Sequence, residues 1–380
     1  MRVRSWAHVG GQWDRPLDAN PDGSSLVLAF GAPELGPDGD TPPTWWRELR
    51  DAYGSATILG ASTAGEIHGE RVLDRSVVVT VVDFDTTSVV SATERVADHA
   101  DSGAVGQALG GRLAGADVAA VLVMSDGTMV NGTELCAGVQ QAVGPEVAVS
   151  GGLAGDGDRF DATWLADDDG VHRGVVTAVA LCGASLEVRH GSQGGWFPFG
   201  PERTVSFSDD GVLHKLDGRP ALDLYRDYLG SFADQLPAAA LLFPLQVWPA
   251  DGSQAPVVRT VLGVDDSTSS MTFAGSMPSG WRAQLMMADP DDLVDAAAVA
   301  AEGLAPTAIE GDRLVLAVSC VGRRLLLGEA ASDETAAVVD ALPPGTTLAG
   351  FYSYGEISPI AGEARLHNQT MTLTMLAERS

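Results

Sequence analysis

One unit recurs along this chain and limits what it can fold into. It consists of an apolar run, a helix-forming stretch, a second apolar run ending in a glycine loop, and a β-branched return. It is first met as "SLVLAFGAP" (25–33), "TPPTWWRELRDAYG" (41–54), "SATILGASTAGEI" (55–67) and "RSVVVTVVDF" (75–84). It returns as "VAAVLVMSDG" (118–127), "GTELCAGVQQAVG" (132–144), "PEVAVSGGLAGDG" (145–157) and "RGVVTAVALCG" (173–183). It returns again as "RLVLAVSCVG" (313–322), "DETAAVVDALPPG" (333–345), "TTLAGFYSYGEI" (346–357) and "HNQTMTLTMLAE" (367–378). A degenerate copy is read between them, where "SMTFAGSMPSG" (270–280) precedes "WRAQLMMADP" (281–290). In the first copy Thr41 is placed as helix N-cap, with two prolines in the first turn.

The loops "GASTAGE" (60–66), "SGGLAGD" (150–156), "GSMPSGW" (275–281) and "GFYSYGE" (350–356) share a small residue, four variable positions and a glycine. One such loop per unit argues for internal duplication. Strands followed by extended returns, and not by helices alone, predict mixed sheets. The expected fold class is therefore α/β (α+β), with mixed sheets, packed helices, duplicated strand–helix–strand–loop–strand units and two interlocked domains. A length of 380 residues also favours two domains. Residues 196–230 link the halves as an aromatic Gly/Pro loop, a hairpin and a helix starting near Pro220. The division expected is an arm over 1–24, a first domain over 25–224 and a second over 225–380.

The formal net charge is −28, from 51 acidic and 23 basic residues, and Lys215 is the single lysine. Such a field repels nucleic acid and anionic lipid, so neither is expected as a partner. Cys136, Cys182 and Cys320 lie far apart in apolar surroundings, with no pair at metal or redox spacing, and read as reduced thiols in a cytoplasm. No run approaches the ~18 apolar residues of a membrane helix, and the N-terminus lacks the apolar core of a signal peptide. A soluble cytoplasmic protein is expected.

Catalytic motifs are not found. "GASTAG" has the wrong spacing for a nucleophile elbow, and "GGLAGDGDRF" is followed by loop and strand where a phosphate loop needs a helix. The seven histidines show no zinc-binding pair, and one lysine makes Schiff-base chemistry a poor fit. The expectation is a protein that is not an enzyme and needs no cofactor.

Ligand-facing candidates cluster in the aromatic and polar loops. "GWFPFG" (195–200) offers Trp196 and Phe199 as a pocket wall, or as a plug between the halves. Tyr352 and Tyr354 alternate with Ser353, which in an extended segment sends both hydroxyls to one side, where Glu356 adds an acceptor. His367 and Asn368 stand with Gln369 at the entry to the last strand, whose Thr370, Thr372 and Thr374 alternate with Met371, Leu373 and Met375. Ser62 and Asp156 complete the ligand set from the other loops. Glu66, Asp156 and Glu356 follow equivalent loop glycines, and their alternative role is to tie down loop amides. His214 and Arg219 in "LHKLDGR" are the residues available to a haem reading.

Six collinear stretches, "GASTAGEI" (60–67), "GGLAGDG" (151–157), "GGWFPFGP" (194–201), "LDGRPALDLYRDYLG" (216–230), "GFYSYGEI" (350–357) and "HNQTMTLTML" (367–376), resemble the FIST family of sensory proteins over both its N- and C-terminal domains. The resemblance implies an intracellular small-molecule sensor, binding an amino acid or a similar metabolite, with no fused output domain. Its implied partners are the ligand and a separate signalling protein, a histidine kinase or cyclic-dinucleotide enzyme, and it is compatible with a homodimer. The alternative it implies is a haem-based nitric oxide sensor acting on a histidine kinase. Many relatives have Cys in the first loop where this chain has Ala61, so a thiol role is not carried over.

Overall fold

The computed structural model describes residues 1–19, 25–39, 41–209, 211–236, 238–304, 311–360 and 362–379. Residues 20–24 of the expected arm thus lie outside the described residues. Three mixed sheets carry the three strong copies of the repeat. In each, two parallel strands joined by helical crossover pair side by side: Ser25–Gly31 with Thr57–Ser62, Val118–Ser125 with Ala148–Leu153, and Arg313–Cys320 with Thr346–Ser353. The return strands Ser76–Asp83, Val175–Cys182 and Met371–Glu378 run antiparallel beside the first of each pair. A further strand lies outside each return: Arg2–Val9, Ser88–Arg95 and Leu186–Gln193. Residues 2–9, read as part of an arm, are therefore an integral strand of the first sheet.

The other edge of each sheet is filled by a neighbour. The hairpin Glu66–His68/Arg71–Leu73 of the first copy pairs with Thr346–Ser353 of the third. The hairpin Gly355–Ile360/Glu363–His367 of the third pairs with Ala148–Leu153 of the second. Leu165–Ala166 and Val171–His172 of the second close the circle on Thr57–Ser62 of the first. Each copy thus covers a strand edge that would otherwise expose unpaired backbone groups.

Alternation decides what the sheets bury. Leu26, Leu28 and Phe30, Leu122 and Met124, and Leu314, Leu316 and Val318 point inward from three sheets into one shared core. Phe30 stacks on Phe351 there, with centroids 4.5 Å apart. The opposite faces are covered by helices: Val27, Ala29 and Ile58 by Trp45 and Leu49 of Thr44–Ala52, Val121 and Val123 by Leu109 and Leu135, and Val315 and Ala317 by Leu293 and Val338. Both faces being buried, the strands read as continuous apolar runs. The first helix is capped by Pro43 with no side-chain bond, and Thr41 instead bridges Asp38. Proline in the cap position fixes an extended entry that brings the helix start three residues beyond Thr41.

Between Leu186–Gln193 and the helix Pro290–Glu302 lies an inserted antiparallel sheet with the helix Ala221–Leu229 and its own core of Val205, Leu213, Leu222, Tyr225, Leu245 and Met271. The boundary expected at 224/225 falls inside that helix. The degenerate fourth copy is corrected here. Ser270–Phe273 and Arg282–Met287 pair with other strands of the insert, all antiparallel, with no helix between them.

Candidate functional site

The return strands start, and the parallel strands end, at one end of each sheet, which is where open α/β sheets hold ligands. Each copy has a cavity there. The first, about 400 Å³, lies between Ala32–Glu34, Thr63–Glu66 and Asp156–Arg159. The second, about 350 Å³, is bounded by Gly127–Gly132, Tyr354 and Leu366, and is roofed by Leu262 and Thr272–Gly275 of the insert. The third, about 240 Å³, lies between Gln193–Trp196, His367, Asn368 and Thr370 on the core and Pro256–Val258 on the insert.

Three of the expected ligand residues meet in the third cavity: Trp196, His367 and Asn368. Trp196 is buried, and its indole N–H donates to the Gln369 carbonyl at 2.9 Å, so it offers the cavity its ring. Nε2 of His367 lies 3.1 Å from the Ser358 carbonyl, and burial pushes its pKa down to about 4, leaving a neutral imidazole. Asn368 is 1% exposed, yet neither atom of its amide has a partner among the described residues. The turn that delivers it has Gln369 at φ +64°, an uncommon conformation for a residue with a side chain. Gln193, Thr370 and Pro256–Val258 were not singled out from sequence; the Thr370 alternation was the one signal available.

The other candidates are placed elsewhere. The two tyrosine hydroxyls do not share a side, because the chain bends at Tyr354 between two strands. Tyr352 is fully buried and donates to Glu334 Oε2 at 2.6 Å; Glu334 in turn pairs with the fully buried Arg323 at 2.5 Å. Arg323 also donates to the carbonyls of Gly194 and Leu293. Tyr354 lines the second cavity, stacks on Phe160 with centroids 4.3 Å apart, and donates to Asp156. Asp156 also accepts from the amides of Phe160, Asp161 and Ala162; burial raises its pKa, but these bonds outweigh burial and hold it below the usual value.

Glu356 is fully buried and accepts from the Ser353 hydroxyl at 3.0 Å and from the amide and hydroxyl of Thr370 at 3.1 and 2.9 Å. Burial pushes its pKa up to about 8. Ser62 is buried, its hydroxyl accepting from the Trp164 amide at 3.0 Å. Phe199 is 43% exposed on a strand of the insert, opposite Leu285. His214 stacks on Phe207, and Arg219 pairs with Asp227 at 3.0 Å, both on the insert.

Sheet register corrects one equivalence. Ile67 pairs with Gly350, Ile357 with Gly151, and Ala166 with Gly60. The residues before them, Glu66, Glu356 and Leu165, therefore correspond. Asp156 lies instead in an enlarged loop, 154–164, whose "AGD" matches the other loops only in sequence. Among the described residues no group of three His, Cys, Asp or Glu could hold a metal, and no helix is long and apolar enough to cross a membrane.

The FIST N domain model matches residues 25–219 and the FIST C domain model residues 221–359. An uncharacterized protein of Mycobacterium tuberculosis is 29% identical over 245 residues, covering 62% of each chain. Another of Mycobacterium bovis is 32% identical over 250 residues, covering 62% of this chain and 61% of its own. The chain thus spans less than two thirds of the length of these curated relatives. A crystal structure of a cyanuric acid hydrolase from A. caulinodans aligns over 100% of this chain and 99% of its own, at 9% identity and a TM-score of 0.37, and that likeness carries no argument. Two family matches that together run through most of the sequence place this chain in the FIST family.

Proposed function

We propose that this chain is a small-molecule sensor whose ligand binds the cavity between Trp196, His367, Asn368 and the strand Val257–Arg259 of the insert. FIST domains are sensory domains of signal transduction, which gives the general role. The observation that carries the site is a cavity of about 240 Å³ at the junction of the core and the insert, where Trp196, His367 and Asn368 from separate segments meet Pro256–Val258. The ligand class is a small polar metabolite, amino acids and their neutral derivatives among them.

The cavity joins the core to the insert, so occupancy ties the two together. That change is what a separate signalling protein, a histidine kinase or cyclic-dinucleotide enzyme, would read. The role in this reading is binding. The test is a thermal-shift screen of metabolites on the full chain, with native mass spectrometry of freshly purified protein. A ligand is expected whose stabilisation is lost in Asn368→Ala and weakened in Trp196→Phe. A ligand that stabilises both variants as well as the parent overturns the placement.

A further inference from the structure

The second cavity, about 350 Å³, is of the size that takes a small molecule, about 300–1,000 Å³. Its walls come from two sides. The core gives Met129, Phe160 and Leu366, and the insert gives Leu262 and Phe273. The Phe160 ring, stacked on Tyr354, makes one wall flat and apolar. Met129 and Leu262 are 58% and 38% exposed, and two exposed apolar side chains from separate parts of the fold thus share one cavity. The polar groups of the core wall are already committed. The Tyr354 hydroxyl donates to Asp156, and the Thr128 amide and hydroxyl donate to Asp126 Oδ1 at 2.9 and 3.0 Å. The helix Gly132–Val143 starts here, capped by Asn131 Oδ1, which accepts from the Thr133 and Glu134 amides at 3.0 and 3.4 Å. Asp209 is the one charged side chain of the lining among the described residues. It is exposed at the rim and has no partner among them, and it stands beside Val212, which itself lies beside Thr272. Arg259 lies behind Gly275, but its guanidinium donates to the carbonyls of Val258, Leu366 and Ser276 and does not line the cavity.

We propose that the second cavity is a separate binding site for an amphiphilic cation, an aromatic ring carrying an ammonium or similar cationic end. The ring lies against Phe160 between Met129 and Leu262, where it takes apolar surface of both partners out of water. The cationic end stays at the solvent-open rim beside Asp209, so its charge is not desolvated. The net charge of −28 draws cations toward the chain and repels anions. The site shares no lining residue with the cavity of Trp196, His367 and Asn368, and it stands or falls independently of it. Occupancy joins Leu262 of the insert to Met129 of the core.

The test is isothermal titration of the full chain with tryptamine, indole, indole-3-acetate and ethylamine, which vary ring and charge separately. Tryptamine is expected to bind about threefold more tightly than indole, the worth of one exposed ion pair, and more tightly again than indole-3-acetate. Ethylamine, which lacks the ring, is expected to bind at least about tenfold more weakly than tryptamine. Asp209→Asn is expected to bring tryptamine down to the affinity of indole and to leave indole unchanged. Met129→Ser/Leu262→Ser alters two exposed side chains and is expected to weaken tryptamine and indole about tenfold, with an unchanged circular dichroism spectrum. Should that double variant fail to fold, Leu262→Ser alone is expected to weaken both about threefold. Trp196→Phe, in the other cavity, is expected to change neither. Indole-3-acetate binding as tightly as tryptamine overturns the cationic class. Tryptamine binding that the folded Met129→Ser/Leu262→Ser or Leu262→Ser variant retains in full, or that Trp196→Phe abolishes, overturns the site. Binding of none of the four probes overturns the proposal as a whole.

Discussion

Glu66 and Glu356 occupy the same place in two copies of one unit. Each carboxyl accepts from a hydroxyl three residues earlier, Thr63 at 2.6 Å and Ser353 at 3.0 Å. Each also accepts from the amide and hydroxyl of the residue at the head of its return strand, Ser76 and Thr370. Leu165 stands at that register in the second copy, with Ala162 three residues earlier and Val175 at the head of the return strand, so neither the carboxyl nor its hydroxyl donors are there.

These carboxyls make stability pH-dependent. Burial raises both to about 8 from an ordinary 4.5; the hydroxyl bonds, and for Glu356 the Arg323 charge, pull them partly back, while Asp74 pushes Glu66 further up. The folded state therefore keeps protons that the unfolded chain loses. That contribution is fully present below pH 4.5, declines above it, and is lost as pH rises through about 8. The melting temperature should fall as pH goes from 5 to 9 on this account, and Glu356→Gln should flatten the fall. A slope unchanged in Glu356→Gln and Glu66→Gln would show that other groups set it.

The Arg323–Glu334–Tyr352 network should be far more sensitive to halving than to replacement. Arg323→Met leaves a carboxylate fully buried without its cation, a loss of about 3–5 kcal/mol. Urea denaturation of Arg323→Met/Glu334→Leu should recover much of that loss. A double variant no more stable than the single one would mean that the carbonyl bonds to Gly194 and Leu293 matter more than the ion pair.

Gly350 and Gly111 should respond to alanine with opposite signs. A Cβ at Gly350 would lie 1.8 Å from the Ala317 carbonyl of the adjacent parallel strand, whereas one at Gly111, in the helix Ser102–Leu113, meets nothing within 4 Å. Gly350→Ala should destabilise on the order of 3 kcal/mol. Gly111→Ala should stabilise by roughly 0.5–1 kcal/mol, from backbone entropy. Thermal unfolding of the two variants checks both.

Tyr354→Phe removes one of the bonds that hold the enlarged loop 154–164 while keeping the stack on Phe160. The expected loss is about 1–2 kcal/mol, with the Asp156 pKa rising as its phenol donor goes. Chemical denaturation and a carboxylate titration by NMR read the two effects separately.

The strand and helix types of the three copies were legible because they follow from local period and glycine placement. Trp196, His367 and Asn368 were legible as polar or aromatic residues at strand ends, and they share a cavity. The shared direction of Tyr352 and Tyr354 failed at the bend between them, which a two-residue alternation does not reveal. Asp156 was matched to Glu66 and Glu356 because a glycine–acid pair recurs in the sequence; the hydrogen-bond register that separates them lies in another copy's strand.

The sequence alone determined the strands and helices of the three copies and where their glycine loops turn, but not the outer strands Arg2–Val9, Ser88–Arg95 and Leu186–Gln193. The tertiary structure alone decided that each copy's hairpin completes its neighbour's sheet, and that Asn368 is left without a partner. Side-chain periodicity is written into each segment. Backbone donors and acceptors are the same at nearly every residue, so which edge a hairpin pairs with, and which amide goes unmet, is settled only when distant segments pack together.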